Sequence, residues 1–392
     1  MRAIPRILEK QVKKAARAFG AVVITGPRRS GKTWLLRQLF PDAQYYLFED
    51  PDLVGRFRAD PKGFLDGVTG PAIFDEIQNV PEIFNFVRSR IDAAPRKKGV
   101  WLMTGSQESS LMRNVTESMA GRAAILHLLP LSLAESPRVS LLHGGYPEVV
   151  THAGNASMWF ASYVQTYLER DVRGASAVQS LATFRRFMSL LAIRHGAMLN
   201  MSELAAPLGV SVPTVSRWVD VLETSGLIQR VPPYYENFGK RLVKTPKIYW
   251  LDAGLACHLL GIQTTAELER SPFLGSLFEG MVASEIVKSQ INAGRRKELY
   301  YFRDQQGLEV DFIVPATGGT FILVEAKATR TPTAAMAKPM LSLASAWSAH
   351  QRASQLRPSI LVHRPAKTAA PSSAIAPGCK AMSIGEFIDY IG

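Results

Sequence analysis

Gly26, Pro27, Arg28, Arg29, Ser30, Gly31, Lys32 and Thr33 follow the spacing G-x-x-x-x-G-K-[ST], which belongs to a loop that holds polyphosphate. The glycines let backbone N–H groups close around phosphate oxygens, and a helix starting there favours their negative charge. Lys32 would reach the β- and γ-phosphates, and Thr33 would offer its hydroxyl to Mg²⁺. A second group lies downstream, where the apolar run Ala72-Ile73-Phe74 ends in Asp75-Glu76. Asp75 suits the Mg²⁺ shell and Glu76 suits the polarisation of an attacking water. ATP and Mg²⁺ are therefore the expected ligands, and ATP hydrolysis the expected chemistry. Ser106, beside Thr104 at the end of another apolar run, is a candidate to sense the γ-phosphate. Arg122 is a candidate to stabilise transition-state charge, in cis or from a neighbouring subunit.

A different chemistry is written near the C-terminus. Glu325 and Lys327 alternate onto one face of the run Phe321 to Lys327. Asp311 lies on the preceding run, Glu309 to Val314, and Glu279 on a helical stretch before that. An Asp and a Glu on adjacent strands, with a lysine beside them, can hold one or two Mg²⁺ ions and activate water for phosphodiester cleavage. Glu279, Asp311 and Glu325 are the metal candidates; Asp311, Glu325 and Lys327 are the catalytic ones. Solvated charges on a hairpin are the competing reading.

These groups need elements to position them. Ala21 to Thr25 reads as a buried strand and Trp34 to Leu39 as the helix behind the glycine loop. Gln44–Phe48, Gly99–Met103 and Ala123–Leu129 read as further strands alternating with helices, an open α/β sheet with ligands at its strand C-terminal ends. Residues Ile4 to Phe19 form a basic amphipathic stretch, expected to pack on that sheet rather than on a phosphate backbone or membrane. Ser157 to Arg173 reads as a linking helix.

The middle of the chain changes grammar. Ser202 caps a short helix ended by Gly209, and Ser211 caps Val212 to Thr224, whose buried stripe is Val215, Val219 and Leu222. That is a helix-turn-helix layout, and Leu227–Val231 with Lys247–Leu251 could pair as a wing. Thr214, Ser216 and Arg217 would face DNA, and Lys240, Arg241 and Lys244 would meet phosphates. A structural or lid role is the alternative. The expected domains are residues 1–150 for the ATPase, 151–176 for a helical linker, 177–268 for the winged helix-turn-helix and 269–392 for a last α/β domain. Within the last, Ala334–Ala349, Ser359–His363 and Gly385–Ile391 supply a helix, a strand and a helix, with a loop from Pro365 to Pro377.

Composition supports this division. The chain has 392 residues, enough for two or three domains, with 47% apolar and 20% charged residues. Its net charge of +13 suits a polyanionic partner such as DNA. Cys257 and Cys379 form no CxxC pair, which fits a reducing compartment and argues against a disulfide framework or zinc site. No apolar run is long enough to span a bilayer and no leader pattern precedes the first helix, so a cytoplasmic protein without a membrane partner is expected.

With these motifs in hand, the chain resembles a family of prokaryotic AAA-type ATPases that carry a C-terminal "domain of unknown function 4143". The resemblance rests on GPRRSGKT at 26–33, IFDEIQ at 73–78, MTGSQ at 103–107, AGR at 120–122, GGYPEVV at 144–150 and YLERDVR at 167–173. It continues through PPYYENFGKRLVKTPKIYWLDAGL at 232–255, LFEGMVASE at 277–285, EVDFIV at 309–314 and VEAKA at 324–328, so nearly the whole chain is covered. It implies a P-loop AAA-type sheet, a winged helix and a tail similar to PD-(D/E)xK nucleases, with Glu279, Asp311, Glu325 and Lys327 as the nuclease-like quartet. Gly275 matches the G-x-x-x-E helix start, while Val310 stands where that pattern has proline. The resulting expectation is an oligomeric, ATP-hydrolysing protein that binds duplex or branched DNA. A nucleotide-dependent switch with protein-interaction surfaces and an active Mg²⁺-dependent nuclease are the alternatives.

Overall fold

The computed structural model describes residues 4–105, 118–167, 180–234, 243–349, 356–365 and 373–392. The chain forms two compact units. One is Met1–Leu131 with the short segments Thr224–Gly226 and Ile291–Arg295; the other is Ser132–Glu223, Leu227–Gln290 and Arg296–Gly392. The first boundary falls at Leu131, ahead of the 150 expected from sequence. Past it the chain is already committed to the second unit: Leu133 N–H donates to Glu285 at 2.8 Å and Gly145 N–H to Asp252 at 2.7 Å.

In the first unit, strands β1 (Ala21–Thr25), β2 (Gln44–Leu47), β3 (Ala72–Asp75), β4 (Trp101–Thr104) and β5 (Ala123–His127) form a sheet of order β2-β3-β4-β1-β5. All its pairings are parallel. Both faces of such a sheet are covered, which is why Ala21–Thr25 is a continuous apolar, β-branched run. On one face the helix Glu9–Ala18 sets Val12 and Ala15, with Leu8 before it, in a core with Val22, Ile24, Leu36 and Leu102. On the other, Phe48, Phe57, Phe74, Phe84 and Trp101 pack together. Because β4 lies between β1 and β3, the loop after β1 and the acidic end of β3 open at one edge, with Thr104 between them.

The second unit contains the helices Leu181–Ile193, Met201–Ala205 and Val212–Thr224, then an antiparallel ribbon of β6 (Ile228–Val231) and β7 (Lys247–Trp250). Val215, Trp218, Val219 and Leu222 are the buried stripe of the third helix, and Trp218 meets Phe184 and Phe187 edge-on or tilted. Asn200 rather than Ser202 caps the second helix, its side chain accepting from the N–H groups of Ser202 and Glu203. A six-stranded mixed sheet follows, of order β12-β13-β11-β10-β9-β8. Its strands are β8 (Tyr300–Arg303), β9 (Glu309–Ala316), β10 (Thr320–Lys327), β11 (Ser359–His363), β12 (Ser373–Ala376) and β13 (Cys379–Ser383). β12 lies inside the stretch expected to be a loop. It pairs antiparallel with β13 at the sheet edge, where Ala and Ser suffice because one side has no partner strand. The helix Leu274–Asn292 begins before Phe278 and carries Glu279. Among the described residues no helix is long and apolar enough to cross a membrane.

Candidate nucleotide site and carboxylate cluster

The glycine loop has the backbone that phosphate binding needs. Gly26 has φ 141° and Gly31 φ 94°, both in the region that L side chains avoid. A Cβ on Gly26 would stand 2.2 Å from the carbonyl oxygen of Leu128, so the position admits glycine alone. Among the described residues only two non-glycines have positive φ, Arg29 (61°) and Glu76 (58°). Both belong to this site. Such conformations cost roughly 1–3 kcal/mol and persist where the surrounding structure imposes them.

The side chains converge as the spacing implies. Lys32, 6% exposed, donates through Nζ to the carbonyls of Gly26 and Pro27, each at 3.0 Å, so its ammonium lies across the loop mouth. Thr33 Oγ1 donates to Asp75 Oδ2 at 2.8 Å, across the sheet edge. Tyr45 Oη donates to the same oxygen at 2.7 Å, and Thr104 Oγ1 to Asp75 Oδ1. Burial, then the hydrogen bond to Asp75, pushes the Tyr45 phenol above its ordinary value, so it remains a donor. One carboxylate and one hydroxyl, completed by substrate phosphates, is the donor set that Mg²⁺ accepts. The residues fit that ion, and the loop, with Ser30 Oγ buried without a partner, fits a polyphosphate. Glu76 lies beyond Asp75, 3.7 Å from Arg28 of the loop and bonded to the Gln78 amide. Ser106 lies outside the described residues.

Arg122 is corrected for action in cis. β5 runs parallel to β1, pairing Ala21 with Ala123 and Thr25 with His127, so Arg122 precedes the start of the strand. That is the opposite end of the sheet from the glycine loop, roughly 15 Å away at the usual rise. Its guanidinium forms two hydrogen bonds with Asp92, at 2.6 and 3.1 Å.

The DNA candidates are less concentrated. Thr214 shares a hydrogen bond with Ser211 at 2.8 Å, Ser216 is half-buried, and Arg217 is exposed with Nε on the Pro213 carbonyl. Lys244 is exposed; Lys240 and Arg241 lie outside the described residues. The same helix also carries Asp220 and Glu223, both paired with Arg230.

The C-terminal quartet comes together, but with an occupant that sequence reasoning missed. Lys247, from β7, lies 2.9 Å from Glu279 Oε1 and 2.7 Å from Glu309 Oε1, with its side chain 5% exposed. Tyr249 Oη donates to the same Glu279 oxygen at 2.5 Å. Asp311 Oδ2 accepts the Ala326 N–H at 2.9 Å, and Glu325 Oε1 is 2.6 Å from Lys327. Burial, then the charge of Asp311, raises Glu279 and Glu325 each to about 7. Burial opposes the charge on Lys247, yet Glu279, Asp311 and Glu309 outweigh it and hold its pKa above the ordinary lysine value. Among the described residues no set of three or more His, Cys, Asp or Glu side chains is disposed to hold a metal ion. Glu279, Asp311 and Glu325 are thus not disposed as one three-carboxylate shell among the described residues, whereas Asp311, Glu325 and Lys327 do lie together, Lys327 being 3.7 Å from Asp311 and 2.6 Å from Glu325. Glu279 Oε1, Asp311 Oδ2 and Glu325 Oε1 take lysine, tyrosine and backbone donors, while Glu325 Oε2 is buried without one.

Three other residues carry more than their sequence signal suggested. Arg6 donates to the Ser30 carbonyl at 2.7 Å and the Leu129 carbonyl at 2.6 Å, tying the glycine loop to the chain beyond β5. Asp252 accepts from Gly145 and Leu255 N–H, and a Cβ on Gly144 would meet its carboxylate at 2.0 Å, which accounts for the glycine at 144. His195 is buried with its Nδ1 accepting the Trp250 N–H, and burial lowers its pKa to about 3. The Asp252 and Gly144–Gly145 partners stand in two of the quoted motifs, but nothing in their spacing says that they meet.

Residues 18–136 match the family described as AAA domain, residues 135–266 a domain of unknown function (DUF8612) and residues 274–370 a domain of unknown function (DUF4143). Uncharacterised proteins of Mycobacterium tuberculosis and Mycobacterium bovis are each 33% identical over 329 residues, covering 82% of this chain and 73% of theirs. A Walker-type ATPase of Pyrococcus abyssi aligns at TM-score 0.43 and 14% identity over 64% of this chain and 94% of its own. A single-substitution variant of Thermotoga maritima RuvB aligns at 0.30 and 16% over 57% and 89%. Both scores lie below 0.5, and the fold rests instead on the strand order and the family match.

Proposed function

The chain belongs to the family of AAA-domain proteins with a C-terminal DUF4143 domain, and from that premise we propose that it binds and hydrolyses ATP and couples turnover to DNA held by the second unit. The observation that carries the ATPase reading is the coincidence of the two left-handed non-glycine residues, Arg29 and Glu76, with the buried Lys32 and the Thr33–Asp75 hydrogen bond. A Mg²⁺ held by Thr33 and Asp75 would neutralise charge on the β- and γ-phosphates. Lys32 exchanges the Gly26 and Pro27 carbonyls for phosphate oxygens. Glu76 leaves Arg28 and Gln78 and orients the attacking water. Thr104, fixed on Asp75, keeps that carboxylate aimed at the loop.

DNA contact is supported by the net charge of +13 and by Thr214, Ser216, Arg217 and Lys244 on and after the third helix. Duplex or branched DNA suits a basic surface of this kind, and assembly into a homo-oligomer would let ATP order neighbouring copies. The acidic Asp220 and Glu223 on the same helix favour a second reading, a nucleotide-dependent switch in which that helix meets a protein.

ATP turnover measured with and without single-stranded, duplex and four-way DNA separates the two. Stimulation by DNA is expected, and Lys32→Ala should lower turnover by about 10²-fold or more, the scale of losing one charge-stabilising group. Undiminished hydrolysis by Lys32→Ala would reject the site, and turnover indifferent to every DNA would favour the switch.

A further inference from the structure

We propose that Lys247 stands in for a metal beside the C-terminal quartet of Glu279, Asp311, Glu325 and Lys327, so that the cluster is an ion-paired seam joining the β6–β7 ribbon to the helix Leu274–Asn292 and the last sheet. The ammonium lies between Glu279 and Glu309, the nearer oxygens at 2.9 and 2.7 Å, and faces the Tyr301 ring with its centroid 5.5 Å away. Those are positions from which a cation balances the helix glutamate and the sheet carboxylates together. Lys327 does the same for the other half, at 2.6 Å from Glu325 and 3.7 Å from Asp311. Arg303 lies 2.9 Å from Glu309, so four carboxylates meet three cationic side chains. A divalent ion entering here would meet ammonium groups already on its ligands, at distances where like charges repel by several kcal/mol even with the effective dielectric of a protein surface.

The lysine is not free to swing away. Its strand is central in the local pairing: β7 is hydrogen-bonded along β6, with Val231 opposite Lys247, and Met198 bridges Lys247 from the other side. Alternation along β7 puts Tyr249 on the same face, and its hydroxyl fixes Glu279 a second time. Withdrawing the ammonium would therefore require the ribbon to move as a whole. Removing one partner of a buried pair leaves an uncompensated charge, so both sides of the seam depend on it.

The test uses the full chain without nucleotide, titrated with Mn²⁺ and read by loss of the free-ion paramagnetic signal. The parent and Asp311→Asn should be indistinguishable, with no site tighter than about 1 mM, the weak end of protein divalent sites. Lys247→Met should gain a site that a second change, Asp311→Asn, removes. Its melting midpoint should also fall, with Lys247→Arg recovering most of the loss. A tighter site in the parent that Asp311→Asn abolishes would overturn the proposal, as would a Lys247→Met protein that melts like the parent. If Lys247→Met does not fold, the comparison of parent with Asp311→Asn decides alone.

Discussion

Asp75 gathers donors from three elements: Thr33 from the helix behind the glycine loop, Tyr45 from β2 and Thr104 from β4. Such a carboxylate is aimed before nucleotide arrives, and each donor contributes one ordinary hydrogen bond to that aim. Tyr45→Phe removes one of them, a net loss of roughly 0.5–1.5 kcal/mol, so KM for ATP should rise about 2–10-fold with kcat little changed. Steady-state kinetics checks this. Glu76 has a different task, because it touches Arg28 and Gln78 rather than the Mg²⁺ set. Glu76→Gln should retain nucleotide binding while kcat falls about 10²–10⁴-fold, the range associated with a positioned general base. Binding measured by calorimetry beside single-turnover hydrolysis separates the two effects. Both residues also show why identity and conformation must be read together. The motif names Glu76, but its φ of 58° shows that the structure holds it in place at a cost.

At the scale of elements, the helix Leu274–Asn292 is organised by what its small residues admit. A Cβ on Gly280 would lie 1.8 Å from His195 Nε2, so the ring of a residue following the helix Leu181–Ile193 occupies the space that any side chain would need. Gly280→Ala should destabilise the second unit by about 1–3 kcal/mol, the usual cost of overpacking, seen as a lower denaturant midpoint. Glycine in mid-helix is otherwise a loss relative to alanine, so a stabilised Gly280→Ala protein would contradict this packing. The Asp252 turn works similarly: its carboxylate caps the helix Ala253–Leu259 and takes the Gly145 N–H, while Gly144 leaves it room and Gly254 lets the His143 carbonyl approach. Here a helix start and a distant loop are fixed by one side chain.

For the whole molecule, the buried carboxylates set a pH dependence. Glu279 and Glu325 are raised to about 7 in the folded state from an ordinary 4.5, so the native chain binds more protons than the unfolded one between those values. Their contribution to stability is present below about 4.5 and is lost as pH rises through 7. His195 acts in the opposite sense. Its folded pKa of about 3 lies below the ordinary 6.5, so its contribution is present above 6.5 and is lost as pH falls towards 3. Above pH 6.5 His195 no longer opposes the glutamates, and the melting midpoint of the second unit should fall from pH 6.5 to 8. Glu325→Gln should flatten that slope, as scanning calorimetry would show. The first unit has no corresponding buried cluster among the groups with resolved shifts, so its transition should move less.

Local spacing was enough to specify the glycine loop and its acidic partner on β3. Their residues are close in sequence to the strand ends that carry them, and phosphate chemistry requires one order of glycines, lysine and hydroxyl. The alternation of strands and helices, the buried stripe of Val212–Thr224 and the pairing of β6 with β7 were legible for the same reason, since each is a short-range pattern. Strand order decided the rest. Placing β5 beside β1 put Arg122 at the far end of the sheet from the loop, although the sequence places it close to an apolar run of the right kind. Pairing β7 with β6 and Met198 brought Lys247 to carboxylates 32 and 62 residues away. No periodicity in one segment can report which cation a distant carboxylate will meet; that depends on which backbones the fold lays side by side.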